Sequence, residues 1–134
     1  MNAGRELDAL VAEKVMGWVA KDGHWHDADG NDLGSHHADN DDGGGDYYYP
    51  DERWSPSTDI SSAWEVVEKL QADGWGLSLD SPGFRPGQWR CLLQRCDSPD
   101  DGRVRVSSLI EVEESTTGPH AICLAALKSV GVAV

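Results

Sequence analysis

The stretch from residue 22 to residue 52 constrains the fold more than any other part of the chain. It holds ten acidic side chains, six glycines and four histidines, with few aliphatic side chains. Such a composition buries too little apolar surface to offset the entropy lost when a backbone is ordered. We therefore expect a mobile acidic loop at about 22–52, with a ragged hairpin around Asp29-Gly30-Asn31 and a short strand at Tyr47–Tyr49.

Apolar side chains recur at helical spacing on both sides of this acidic segment. They predict three helices, near 3–17, 58–73 and 119–130. In the second helix one apolar face is expected to carry the side chains of Ile60, Ala63, Trp64, Val67 and Leu70. Ser57-Thr58-Asp59 is a helix start signal, Gly74 a helix stop, and Pro119 suits a first turn.

Alternation of apolar and polar residues predicts three strands between the second and third helices, at 75–80, 88–95 and 103–112. The turns between them are rich in proline and glycine, which favours hairpins and hence a three-stranded antiparallel meander. Short amphipathic helices beside a meander indicate the α+β class. With 134 residues, we expect a single domain over 1–134.

The acidic balance of the chain excludes several partners. A net charge of −13 disfavours both nucleic-acid backbone and anionic membrane surfaces, since each binds clustered Lys and Arg. No apolar run is long enough to cross a bilayer, and the polar residues 1–8 do not resemble a signal peptide. Three cysteines without framework spacing fit a reducing compartment, so we expect a cytoplasmic protein.

Positive charge concentrates in one segment, residues 84–105, which holds five of the eleven basic residues and carries a net charge of +2. A small cationic patch on an acidic protein suits a phosphate-bearing small molecule, because the acidic body repels long polyanions. We expect Arg85, Arg90 and Arg105 to contact phosphates. The alternative is that these arginines are solvated and pair with the carboxylates at 111–114 on a neighbouring strand.

Aromatic side chains accompany the arginines. Phe84 and Trp89 lie near the first strand turn, and Trp54 follows Arg53 just before the second helix. Aromatic rings beside guanidinium groups favour stacking on a base, and free N–H groups at Ser57 would suit a phosphate. The alternatives are that Trp54 is a hydrophobic staple, Trp89 a core residue and Ser57 a plain N-cap.

The sequence supports metal binding or catalysis less well than it supports ligand binding. Histidines at 24, 26, 36 and 37 lie among many aspartates, but the EF-hand pattern fails, with Asp32 where glycine is required and Ala38 at the twelfth position. Cys123 lies in an apolar helical run and is expected to be buried and inert, and His120 to be exposed or capping. We expect no metal, cofactor or catalytic residue.

Three blocks resemble the phage ABA sandwich domain family: Leu10-Val11-Ala12-Glu13-Lys14-Val15-Met16-Gly17-Trp18; the stretch from Pro56 to Leu70, with Ala63-Trp64-Glu65 at its centre; and Ala121-Ile122-Cys123-Leu124-Ala125-Ala126-Leu127. The resemblance implies a three-layer α/β/α sandwich, in which a central antiparallel sheet carries helices on both faces.

One branch of the family resembles the Thoeris anti-defence sponges. Those proteins sequester cyclic ADP-ribose signals, and some also bind cyclic oligonucleotides of the CBASS pathway. The resemblance implies a phage protein that binds such a signal in the bacterial host without degrading it, as a homodimer or larger assembly. The alternatives are a phage structural or accessory interaction protein without a small-molecule ligand and, ranked last, a small nucleotide hydrolase.

Overall fold

The computed structural model describes residues 1–21, 24–27, 29–35, 54–81, 87–97, 105–115 and 117–133. In chain order the elements are α1 (Arg5–Lys14), β1 (Val19–Lys21), β2 (His24–His26), β3 (Asp32–Ser35), α2 (Ile60–Ala72), β4 (Trp75–Asp80), β5 (Trp89–Asp97), β6 (Arg105–Ser115) and α3 (Gly118–Ser129). The three predicted helices and the three predicted strands are all present, with ends that differ by up to three residues. The α+β class is confirmed.

Strands β4, β5 and β6 form the predicted antiparallel meander. The register aligns Leu77 with Leu93 and Leu93 with Ile110, and these side chains point to the inner face, where the helices pack. The outer face carries the alternate side chains. Among them Leu109 is 58% exposed, so in the described part of the chain no helix covers this face. All three described helices share one core with the inner face.

Helix α3 is the centre of that core. Every residue from Ala121 to Leu127 is buried. A helix that is apolar on all sides must have protein on all sides. Here the β4–β5–β6 sheet lies on one side, and α1 and α2 pack on the others. The hydroxyl of Thr117 caps the helix by accepting a hydrogen bond from the N–H of His120 at 3.3 Å.

Helix α2 buries a different stripe from the one that its spacing predicts. Ala63, Val67 and Leu70 face the core as expected, together with Val66. Ile60 and Trp64 instead point outward and are 49% and 53% exposed. The predicted stripe spans a wide arc of the helix, and the core that α3 and β4 offer accommodates only part of that arc.

The described beginning of the acidic segment contains strands and includes the hairpin that was expected within the 22–52 loop. Strands β1, β2 and β3 form a second antiparallel sheet, with a hairpin where Asp29-Gly30-Asn31 predicted one. A carboxylate organises the turn, since Asp27 Oδ1 accepts from the N–H groups of Asn31 at 2.8 Å and Asp29 at 3.0 Å. These hydrogen bonds lower the pKa of Asp27. The remaining expected loop, 36–52, with its strand at 47–49, lies outside the described residues.

Candidate functional site

Arg90 is the expected phosphate ligand whose side chain the structure describes. Its Nε and Nη2 donate to the two carboxylate oxygens of Asp80 across the β4–β5 ladder, at 3.0 and 2.6 Å. Glu111 on β6 approaches Nη1 at 4.0 Å. The guanidinium thus lies between carboxylates from both neighbouring strands, as the alternative interpretation expects. The hydrogen bond from Arg90 holds the pKa of Asp80 below its usual value.

Trp89 does not share a face with Arg90. Successive side chains of a strand point to opposite faces, so Trp89 points to the inner face and Arg90 to the outer one. A Cβ atom added at Gly118 would lie 3.7 Å from Cε3 of Trp89, which shows how closely the ring packs beneath the start of α3. Trp89 and Arg90 therefore do not lie side by side on one surface, and the stacking of Trp89 on a ligand stays a prediction that this packing does not favour. Trp89 is a partly buried residue packed against the core.

Arg105 lies at the far end of the same sheet. The register pairs it with Asp97, seven residues along β5 from Arg90. At about 3.3 Å per residue the two positions are roughly 23 Å apart. The register therefore places Arg90 and Arg105 at opposite ends of the sheet, and the joint contact of Arg85, Arg90 and Arg105 with one ligand stays a prediction. Strand register is a property of the sheet, and sequence spacing alone does not reveal it.

Ser57 has a structural role. It is fully buried, and α2 begins later, with Asp59 as the N-cap that accepts from the N–H of Ser61 at 3.3 Å. The N–H of Ser57 donates to Asp8 Oδ1 at 2.8 Å, and its hydroxyl accepts from the N–H of Gly4 at 2.9 Å. Ser57 therefore ties the start of α1 to the approach to α2. The alternative of a plain N-cap at Ser57 is wrong, because Asp59 caps α2. The phosphate-binding role of Ser57 stays a prediction that its buried N–H, already bonded to Asp8, does not favour.

Trp54 is also part of the core. It is 9% exposed, and its ring lies against that of Trp18 with centroids 4.5 Å apart. Among the described residues its indole Nε1 is buried without a hydrogen-bond partner. A core position is not favourable for stacking on a surface ligand, and the ligand-binding role of Trp54 stays a prediction. Phe84, Arg85 and Arg53 lie outside the described residues.

The structure reveals one cation–aromatic pair that the sequence did not. Arg95 places its guanidinium carbon 4.3 Å from the centre of the Trp75 ring, and its Nη2 donates to the carbonyl oxygen of Asp73 at 2.8 Å. Trp75 and Arg95 are direct partners in the β4–β5 register. The pair lies beside the short junction that joins the end of α2 to the start of β4. Twenty residues separate the partners, so only the pairing of the strands could have identified them.

Three titratable side chains, those of Cys91, His120 and Cys123, are buried on α3 or beside it. Burial raises the pKa of Cys91 to about 12 and that of Cys123 well above its usual range. Both thiols are therefore protonated at neutral pH, and Cys123 is buried as expected. The expectation for His120 is wrong in part: the residue is 9% exposed, and its Nε2 lies 2.8 Å from the carbonyl oxygen of Met1. This contact anchors the start of the chain on α3.

The described ranges show neither a metal cluster nor a membrane span. No group of three or more His, Cys, Asp or Glu side chains within them is arranged to hold a metal ion. No helix among those residues combines the length and apolar character that crossing a membrane requires.

Comparison with known proteins gives one match. The family model for the phage ABA sandwich domain matches residues 9–127. No curated protein and no solved structure matches the chain.

Proposed function

Because the chain belongs to the phage ABA sandwich domain family, we propose that it is a phage anti-defence protein that sequesters an anionic cyclic nucleotide signal without degrading it. The match over residues 9–127 is the observation that carries this proposal, through the resemblance to the branch that contains the Thoeris sponges. The ligand class is a cyclic ADP-ribose-type molecule or a cyclic oligonucleotide. The protein acts in the cytoplasm of the bacterial host.

The outer face of the β4–β5–β6 sheet is the proposed binding surface. Arg90 is exposed there, and its bidentate contact with Asp80 fixes the guanidinium before any ligand arrives. A guanidinium that is already fixed loses less conformational freedom when it binds a phosphate. Asp80 and Glu111 offset its charge, so binding requires a second cation. Arg85 and the ring of Phe84, which lie between β4 and β5 in the sequence, are the residues proposed to complete the site.

Retention without turnover is supported by the state of the two buried thiols, Cys91 and Cys123. A thiol attacks as its thiolate, and the raised pKa values of Cys91 and Cys123 keep both groups protonated at neutral pH. Their burial also withholds them from a molecule on the outer face of the sheet. Binding is therefore the chemistry that these residues favour over covalent catalysis.

We propose further that the chain forms a homodimer in which the two sheets stack between the helices of the two copies. This α/β/β/α assembly would take the place of the three-layer α/β/α arrangement that the resemblance implies. The helices of one chain cover the inner face of the sheet, and on the outer face Leu109 of the edge strand β6 is 58% exposed. A second copy would cover this leucine, because a two-fold interface brings the same patch of each protomer together. A pocket between the two copies would then contain Arg90 from each.

A retention assay tests the proposal. The protein is mixed with cyclic ADP-ribose isomers or cyclic oligonucleotides, filtered to remove unbound molecules, and then denatured by heat. Release of the intact molecule supports sequestration, whereas release of a hydrolysis product indicates an enzyme. Retention of none of these molecules would contradict the proposal and favour a structural or accessory interaction protein.

Calorimetric titration of the retained molecule tests the site itself. Charge-assisted hydrogen bonds contribute about 1.5–3 kcal/mol each, so the double variant Arg85→Ala/Arg90→Ala is expected to weaken binding by roughly two to four powers of ten. The matched control, Lys14→Ala/Lys128→Ala, removes two exposed cations from α1 and α3 and is expected to retain wild-type affinity. Equal affinity of all three proteins would show that the site lies elsewhere.

A further inference from the structure

Helix α2 presents a second apolar surface, on the side that faces away from the core. Ile60 and Trp64 are separated by one helical turn, so their side chains are neighbours on the helix surface. Both are about half exposed. Together with Ser61, Glu65 and Glu68 they line a cavity of about 440 Å³. We call this surface the α2 groove.

The exposed tryptophan is not part of the described core. Val66, Val67 and Leu70 on the other side of α2 make the contacts with the core, to which Trp64 does not belong. Within the described ranges Trp64 has no hydrogen bond or ring contact. Large aromatic side chains dominate the binding energy of protein interfaces, and isolated apolar concavities on a polar surface are typical of such sites.

The charges around the groove indicate that its partner carries positive charge. Glu65 and Glu68 have no ion-pair partner among the described residues, because Lys69, the basic residue of α2, contacts Asp73 at 3.1 Å. A second copy that docked here across a two-fold axis would bring these carboxylates close to their own copies, and such like-charge contact is costly. A partner with Lys or Arg would instead be attracted by these groups and by the net charge of −13.

We propose that the α2 groove binds an amphipathic, basic segment of another protein. Apolar side chains of that segment pack on Ile60 and Trp64, while its Lys or Arg side chains contact Glu65 and Glu68. A cation over the Trp64 ring adds to the attraction. This surface shares no residue with the proposed signal-binding site, so the two inferences succeed or fail independently.

The first test uses a defined probe, a fluorescent amphipathic peptide of Leu and Lys with about 18 residues, five helical turns. Fluorescence anisotropy at moderate salt measures its affinity for the full-length protein. Trp64→Ala is expected to weaken binding about 30-fold, the effect of removing an interface anchor. The control Val19→Ala shortens a similarly exposed apolar side chain on β1, away from both proposed sites, and is expected to leave the affinity unchanged.

The second test isolates the charges. Glu65→Gln/Glu68→Gln is expected to weaken binding of the Leu/Lys peptide about five- to tenfold. The control Glu6→Gln/Glu13→Gln removes two exposed carboxylates from α1 and changes the net charge by the same amount. Equal weakening by both pairs would overturn the proposal, since the attraction would then be general. Equal affinity for a Leu/Glu peptide, or no binding of the Leu/Lys peptide to the wild type, would overturn it as well.

Sedimentation tests whether a second copy of this chain, rather than another protein, occupies the α2 groove. If Trp64→Ala converts an oligomer into a monomer, a second copy fills the groove and the proposal is wrong. An unchanged sedimentation coefficient, together with an unchanged circular dichroism spectrum, supports it. Trp64 is exposed, so its removal is expected to leave the fold intact.

Discussion

Asp8 is the described residue whose charge conflicts most with its surroundings. It is 3% exposed, and burial raises the pKa of its carboxyl above the usual 3.8, although the hydrogen bonds from Ser57 and the charge of Arg5 lower it in part. The carboxylate is retained as an acceptor for the N–H of Ser57. The negative charge of Asp8 therefore destabilises the folded state, while the hydrogen bond that its carboxyl oxygen accepts from Ser57 stabilises it.

Substitution of Asp8 separates these two effects. Between pH 3.8 and the raised pKa the unfolded chain releases its proton first, so the wild type loses stability as the pH rises through that window. Asp8→Asn keeps an acceptor and does not ionise, so its melting temperature is expected to rise relative to the wild type from pH 4 towards pH 7. Asp8→Ala leaves the N–H of Ser57 unpaired and is expected to cost about 1–3 kcal/mol. A pH-independent difference between Asp8→Asn and wild type would contradict this account.

The buried cysteines Cys91 and Cys123 allow a chemical test of burial. Because Cys91 and Cys123 are buried and protonated, a thiol reagent such as iodoacetamide is expected to leave both unmodified at pH 8 in the native protein. Both are expected to react fully in guanidinium chloride. Mass spectrometry of the digested protein reports each site separately. Rapid native labelling of Cys123 would show that α3 is more accessible than its packing indicates.

At the scale of the elements, the junction between α2 and β4 depends on one backbone conformation. Gly74 has φ +94°, a conformation that side-chain-bearing residues rarely adopt, and the chain passes from helix into strand through Asp73 and Gly74 alone. The Arg95–Trp75 pair covers the same junction. The sequence predicted the stop at Gly74 because glycine is the usual residue after a helix.

Two glycine-to-alanine variants test the importance of this backbone conformation. Gly74→Ala is expected to lower the free energy of unfolding by about 1–2 kcal/mol through backbone strain, since the added Cβ itself meets only Arg95 Nε, at 3.7 Å. The control Gly76→Ala lies two residues further on, in an ordinary strand conformation with its Cβ 3.6 Å from the carbonyl oxygen of Gln94, and is expected to be neutral or slightly stabilising. Denaturant titration measures both. Equal effects would argue against strain at Gly74.

At the scale of the whole molecule, the open outer face of the β4–β5–β6 sheet predicts how copies associate. If a second chain covers this face, Leu109→Asp is expected to shift the protein from dimer to monomer at micromolar concentration, because it introduces like charges within the interface. Val130→Asp, which changes another exposed apolar side chain, is expected to leave the assembly unchanged. Analytical ultracentrifugation distinguishes them. A monomeric wild type would contradict the homodimer and any pocket shared between copies.

Local pattern explains why so much of the fold was predictable. The amphipathic spacing of 60–70, the alternation of 75–80 and Pro119 in the first turn of α3 are properties of neighbouring residues, and the structure has an element at each place. The turn at Asp27 was partly predictable for the same reason, since its carboxylate bonds only to residues two and four positions away. The outward orientation of Trp64 was not, because helical spacing alone does not say which part of a wide apolar arc finds a neighbour.

The sequence by itself determined the order of helices and strands, the acidic character and the membership of a family whose blocks span both ends of the chain. Tertiary structure alone decided which side chains share a surface. It set Trp89 and Arg90 on opposite faces, separated Arg90 from Arg105 by the length of a strand, and buried Ser57 against α1. The physical reason is that helical and strand periodicities arise within a few residues. The register, the facing direction and the burial of a side chain depend on partners far away along the chain.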